Sequence, residues 1–385
     1  MGAAGLDADY LRDLADLVLR MLHVVAGIAW IGASFYFIRL DLGLAPPKEA
    51  KEGVAGEYWG VHGGGFYHSQ KYKVAPPKLP EHLHWFKWEA YTTWLSGFAL
   101  LVVLYWLDAG DRLVDPAVAD LSALQAVGLS AAGLALAWLV YDGACRVLRT
   151  DRLVSVAVAV LVTLSAYAAG ELFAARAAFL QVGAMLGTIM AANVFFVIIP
   201  AHWELVRAKQ QGREPDPAPG LRAKQRSVHN NYLTLPVVFT MLAGHFPLAF
   251  GQNRAWLVLL AIFALVIAIR HFFNLWHTGR RAWWILGAAA AGAVVLAVVL
   301  APDDTPATAV PDDAVAQRIV AERCQTCHSG VSAPLGVRLE NLAQMEQHAG
   351  RIETMVSSRA MPPGNATGLT DSEREQLVAW AAAHG

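Results

Sequence analysis

Charge is scarce in this chain. Of its 385 residues, 16% are Asp, Glu, Lys or Arg, where soluble domains usually carry about 25%. Hydrophobic residues make up 56%, and the mean hydropathy is +0.39. Such a balance excludes a purely soluble domain and points to segments that live in lipid. The formal net charge is −1, so there is no basic field to draw nucleic acid. Cysteine is scarcer still. With three in all, a disulfide framework is excluded; two stand together, and Cys145 is left over as a small apolar filler. The opening MGAAGLDADYLRDLAD is acidic and lacks the basic start of a cleavable signal, so the first apolar stretch is expected to stay in the mature protein.

What the chain has instead is apolar runs. Crossing the hydrocarbon core takes about 20 mostly apolar helical residues. Eight stretches qualify, near 15–38, 89–107, 121–141, 153–174, 177–200, 232–250, 255–273 and 282–301. Loop charge tests the count. The connections after the odd-numbered runs hold eighteen Lys and Arg, whereas the N-terminal tail and the even connections hold four, Arg12, Arg112, Arg176 and Arg254. Cytoplasmic loops carry such an excess, which puts both ends of the bundle in the periplasm. A seven-span count, with one kinked segment through GELFAAR, would place odd loops on both sides and lose the contrast. The expected fold is therefore all-α: an eight-helix transmembrane bundle over 1–301, a linker and a small helical domain. The linker, 302–313, contains DDTPATAVPDD, whose prolines and acids separate domains. Residues 314–385 form the small domain, where Thr370 and Glu373 make a capping box that starts the last amphipathic helix.

The strongest motif lies there. CQTCH supplies Cys324 and Cys327 for thioether bonds to a haem and His328 as the proximal iron ligand; a zinc site would need a second pair of ligands. Methionine is the usual distal ligand where a raised potential is wanted. Met345 and Met355 fall in helix-like stretches and are read as core. Met361 precedes PPGNATGLT, whose prolines and glycines hold a loop, and is taken as the ligand. With CQTCH and MPPGNATGLTDSE, residues 314–385 resemble a class I cytochrome c, which implies a covalent haem c outside the cytoplasmic membrane.

Histidines at depth are the next signal. His23 lies about eight residues in from the outer end of the first run and His245 about six in from that of the sixth, depths that agree to within about one helical turn. Ala26 and Gly27 would leave room beside His23 for a flat macrocycle, so the two would serve as ligands of a haem b; the alternative is that each bonds a neighbouring helix. On the cytoplasmic side gather His82, His84, His202, His229, His271 and His277, read as interfacial. Arg270 is read as snorkelling to the interface, and the tryptophans as belt residues.

Two cytoplasmic segments offer polar chemistry. GEYWGVHGGGFYHSQKYKVAPPKLPEHLHWFKWE is long for a connection. Its aromatic residues flanking GGG predict a hairpin, and Lys71, Lys73, His62 and His68 bring cations and proton carriers. A re-entrant interfacial hairpin is the equal alternative. RSVHNNYLTLP puts Arg226, His229, Asn230, Asn231 and Tyr232 together, amides beside a cation that suit a planar hydrogen-bonding anion; helix capping by Asn230 or Asn231 is the alternative.

Four stretches, MLHVVAGIAWIGASFYFIRLD, GVHGGGFYHSQKYKVAPPKLPEHLHWFKWEAYTTWLSG, IIPAHWELV and RSVHNNYLTLPVVFTMLAGHFP, make the chain similar to the membrane-bound bacterial urate oxidases, whose multi-span domain is fused to a cytochrome c. The first stretch also resembles the opening helix of small histidine-containing haem membrane proteins, which favours His23 as a ligand. The resemblance implies oxidation of urate to 5-hydroxyisourate in the bacterial inner membrane, with electrons leaving through cytochrome c to a soluble cytochrome or terminal oxidase and no peroxide made. It carries no catalytic residue over. The candidate bases are His229, Lys71 and His202, and the candidate substrate ligands are Lys71, Lys73, His68, Arg226, Asn230 and Asn231. A quinol–cytochrome c oxidoreductase and a non-enzymatic electron-transfer membrane protein are the rival readings.

Overall fold

The computed structural model describes residues 8–49, 51–252, 254–301, 310–330 and 333–385; most of the linker expected at 302–313 lies outside them. The chain is mostly helical, but all-α needs a correction. After α1 (Ala8–Leu42) come two strands, β1 (Val54–His62) and β2 (Gly65–Tyr72), paired antiparallel. Gly63 and Gly64 form the two-residue turn with φ of +57° and +81°, a conformation that glycine takes at no steric cost and that matches the twist of paired strands. This is the hairpin that GGG predicted.

The helices that follow are α2 (Trp88–Leu101), α3 (Ala109–Arg112), α4 (Ala123–Val147), α5 (Asp151–Leu172), α6 (Ala175–Asn193), α7 (Ile199–Gln210), α8 (Pro217–Ala243), α9 (Pro247–Phe250), α10 (Ala255–His277) and α11 (Trp283–Val299). Five segments are long and apolar enough to cross a membrane: Tyr10–Leu42, Ala123–Val147, Asp151–Leu172, Ala175–Gln210 and Ala255–His277. The other three expected runs are helical but do not meet both conditions. α2 has 14 residues before the backbone widens into a π turn at Val102–Trp106, and α11 has 17.

The sixth run is the largest correction. It was expected at 232–250, yet α8 starts at Pro217 and stops at Ala243. Its first half is polar, so composition alone hid it. Its end is set by Gly244 and by Pro247, which has no N–H to return to the Ala243 carbonyl. Asn230 and Asn231 are therefore mid-helix residues and cap nothing. Between α6 and α7 a second π turn, Val194–Ile198, precedes Pro200; the missing proline donor shifts the bonding ladder there. The short turn expected near residue 175 is present as Phe173 and Ala174, both buried, with the Ala174 N–H donating to the Leu113 carbonyl at 3.0 Å.

The chain divides into two compact units, and each is built from separate stretches. The first comprises 1–101, 184–238 and 263–292; the second comprises 102–183, 239–262 and 293–385. In the first, α1 packs along α2, and Ala90, Val194 and Ile199 form a small core with Trp30 and Trp85 against it. In the second, α4 packs on α5, joined by helices α12 (Asp313–Arg323), α13 (Leu342–Gln347), α14 (Ala349–Ser357) and α15 (Asp371–His384). Those four share a core of Ile319, Val320, Met345, Ile352, Leu377 and Trp380. Burying each such side chain contributes about 1.5–3 kcal/mol. The Trp380 indole N–H donates to Asp313 Oδ1 at 2.8 Å, tying α15 to α12. Thr370 and Glu373 close the expected capping box.

Within this second unit the C-terminal helices press on α3. The loop at Gly364 runs so close that an added Cβ would fall within 2.5 Å of the Asp111 and Val114 carbonyl oxygens, and one at Gly251 within 2.5 Å of Ser358 Cα. Only glycine permits either approach.

Candidate functional site

Two groups of side chains carry chemistry, one in each unit. In the first unit, α6, α8 and α10 bring together amides and a cation. The Asn193 amide donates to Asn230 Oδ1 at 2.9 Å, and the Asn230 amide donates to the Met190 carbonyl at 2.9 Å. One residue on, Asn231 accepts from Arg270 Nε at 2.6 Å. The Arg270 guanidinium lies over the Phe35 ring, 3.6 Å from its centroid. Arg270 is 5% exposed and Asn231 1%, so the snorkelling expected of Arg270 does not occur. On the neighbouring helix positions the Tyr232 hydroxyl bonds His271 Nδ1 at 2.8 Å.

The residues predicted as substrate ligands divide. Arg226, Asn230 and Asn231 are buried on α8, and His229 lies between them half-buried. Two of the hairpin residues are already paired. Lys71 pairs with Asp41 at the end of α1, and His68 pairs with Glu57 at 2.9 Å while stacking on Trp59 at 4.1 Å. The His68 hydrogen bond, helped by the Lys48 backbone N–H, holds the Glu57 carboxyl below its ordinary range. Lys73, His62, His82 and His84 are exposed, as is His202 on α7. Arg270, Phe35 and Asn274 were missed by the sequence reading. The signal available was an arginine and an asparagine four residues apart inside an apolar helix, which places both on one face.

His23 belongs to the α1–α2 contact. Its Nδ1 bonds the Thr93 carbonyl at 2.9 Å and meets Ser96 Oγ at 3.2 Å. The ring rests on Gly97, where a Cβ would come within 2.7 Å of it. This is the neighbour-helix bond foreseen as the alternative, and it also fixes the tautomer that leaves Nε2 as the acceptor nitrogen, the arrangement an iron-bound histidine uses. His245 is corrected. It lies on the turn after Ala243, exposed, and not inside a helix as its expected depth required.

In the second unit, Cys324 is half-buried at the end of α12, and Cys327 and His328 follow on the turn. Burial, and then the neighbouring Cys327, push the Cys324 thiol up to about 11. His328 Nδ1 bonds the Val337 carbonyl at 2.9 Å, again leaving Nε2 as the free nitrogen. Two thiols with two residues between them and an oriented imidazole fit the covalent attachment and ligation of a haem. Met345 is 1% exposed, in the core as expected; Met355 is half-buried on α14; Met361 is half-buried on the loop. That loop is held from below. Arg374, buried on α15, donates from Nη1 to the Val356 carbonyl at 2.6 Å and to the Met361 carbonyl at 3.2 Å. Burial, then Arg359, lower the Arg374 pKa, while Asp371 and Asp115 raise it.

Among the described residues no three His, Cys, Asp or Glu side chains cluster to hold a bare metal ion. No curated protein and no solved structure matches the chain. A family model described as urate oxidase N-terminal matches residues 9–301. That match runs from α1 to the end of α11 and takes in the hairpin, the Asn–Arg cluster and the His23 contact, so the chain belongs to the urate oxidase N-terminal family.

Proposed function

We propose that this protein oxidises urate to 5-hydroxyisourate in the bacterial inner membrane and delivers the electrons to a periplasmic haem c. The family match over 9–301 carries the reading; the CQTCH donor set supports its second half. The reaction adds a hydroxyl from water to the purine ring and releases two electrons and, net, two protons. Eight spans put α8 and its amides at the cytoplasmic side, where urate is made, and the C-terminal helices in the periplasm.

Each part of the chain has a task. The buried amides and cation of α8 and α10 hold a planar anion in place. Of the candidate bases, His229 retains the role: Lys71 is paired with Asp41, and His202 stands exposed on α7. A base beside the ring takes up a proton as charge leaves it. Cys324 and Cys327 would hold a haem c through thioethers, with His328 and Met361 as the side chains that would ligate its iron, and the group would supply one-electron transfer. His23, whose Nδ1 bonds the Thr93 carbonyl, would be the side chain to hold a haem b in the membrane domain. A soluble cytochrome or terminal oxidase takes the electrons onward.

The test is anaerobic addition of urate to membranes while the haem c band is recorded. Reduction, with no peroxide on re-aeration, is the expected result. A band that stays oxidised with urate but is reduced by a quinol refutes the proposal.

A further inference from the structure

Arg270 is a buried cation with no carboxylate against it among the described residues. A buried charge without a counter-ion is far more costly than a paired one. Among the described residues its one side-chain hydrogen bond is to Asn231, and the Phe35 ring fixes the plane of its guanidinium. Three buried atoms in this cluster have no hydrogen-bond partner: Arg270 Nη2, Asn231 Nδ2 and Asn274 Oδ1. Asn274 lies one turn along α10 from Arg270, on the same face and 8% exposed.

The unmet groups have a pattern. Nη2 and Nδ2 are donors, and Oδ1 is an acceptor. A carboxylate or sulfate would satisfy the two donors and the charge but would give Asn274 nothing, and a hydrogen phosphate, whose O–H could reach it, is tetrahedral where the guanidinium and amide edges are flat. A neutral amide would leave the cation bare. A ligand that meets all three is a flat anion whose rim alternates carbonyl oxygens with N–H groups.

We infer that Arg270, Asn231 and Asn274 form the binding site for a cyclic ureide anion, with Arg270 and Asn231 donating to ring carbonyls and Asn274 accepting from a ring N–H. That the ureide is urate rests on the proposed function; the chemistry of the ligand does not. The site also gives Phe35 a role, since a guanidinium held flat on a ring presents its edge in one fixed direction.

The experiment uses the full-length haem-loaded protein in detergent. Equilibrium dialysis measures binding of labelled urate, and urate-driven haem reduction is followed in parallel. Arg270→Gln is expected to weaken urate binding roughly thirtyfold or more, the scale for losing a charge-assisted hydrogen bond. Asn274→Ala is expected to weaken it several-fold. Nitrate, a flat anion without N–H, separates the two: it competes with urate in the wild type and loses that competition in Arg270→Gln, while Asn274→Ala leaves nitrate binding unchanged. Wild-type affinity in both variants overturns the site and leaves the proposed function standing. Binding by the wild type without haem reduction, weakened by the substitutions, supports the site and refutes the oxidation. No binding by the wild type overturns both. If Arg270→Gln does not accumulate, Asn274→Ala with its nitrate control decides alone.

Discussion

Replacing Arg374 by Met tests whether the loop that carries Met361 is positioned from α15. The guanidinium bonds two carbonyls, Val356 at 2.6 Å and Met361 at 3.2 Å. A hydrogen bond from a charged donor contributes about 1.5–3 kcal/mol, and the longer bond stands at the weak end of that range. Removing both costs ~3 kcal/mol. Only the Met361 bond bears directly on the loop, because Val356 belongs to α14, so about half of the loss acts on the ligand. Half is ~1.5 kcal/mol, roughly a tenfold shift toward a form in which Met361, if it ligates the iron as proposed, would have left it. The assay is the methionine–iron charge-transfer band of the oxidised full-length protein, followed during heating. Arg374→Met should lose the band at a lower temperature than wild type, and Arg374→Lys, which keeps the charge but carries its nitrogen on a shorter, more flexible stem, should fall between. Superimposable curves for Arg374→Met and wild type would refute either the loop's dependence on Arg374 or the choice of Met361.

Met345→Ala should destabilise the C-terminal helices by ~2–5 kcal/mol through a core cavity and leave the haem spectrum unchanged, whereas Met361→Ala should abolish the band and lower the potential; denaturant unfolding and redox titration check the pair. In protein produced without haem attachment, the thiol of Cys324, raised to about 11, stays protonated at neutral pH, so Cys327 should be alkylated first in a mass-spectrometric time course. The Glu57 carboxyl is held below its ordinary 4.5. A depressed folded-state pKa adds stability above the unfolded value and loses it as pH falls through the folded one. The hairpin should therefore become cleavable by pepsin below that value, and Glu57→Gln should remove the pH dependence.

How much the sequence disclosed depended on whether a signal was local. The Gly63–Gly64 turn, the Thr370–Glu373 capping box and the CQTCH spacing are written in adjacent residues, and the helices and strands follow them. Met345 as core follows from helical periodicity. The sixth run was misplaced because hydropathy averages over a window: the polar first half of α8 was discarded, and the break at Gly244 and Pro247 was read through. His245 went astray with it. Lys71 and His68 looked available because their partners, Asp41 and Glu57, are set by strand register and by the return of the hairpin to α1. Arg270 was beyond reach for the same reason. Whether an arginine in an apolar helix reaches for water or stays inside depends on what faces it, and here Phe35 and Asn231 come from helices far away in the chain.

The glycine seat at residue 364 has a kinetic meaning. Backbone meets backbone there with no side chain between, so within the second unit the C-terminal helices and the α3 segment are coupled as one body and need no diffusive search to meet. Their docking then behaves as a first-order event, insensitive to dilution. A methyl group at 364 would wedge the two surfaces apart.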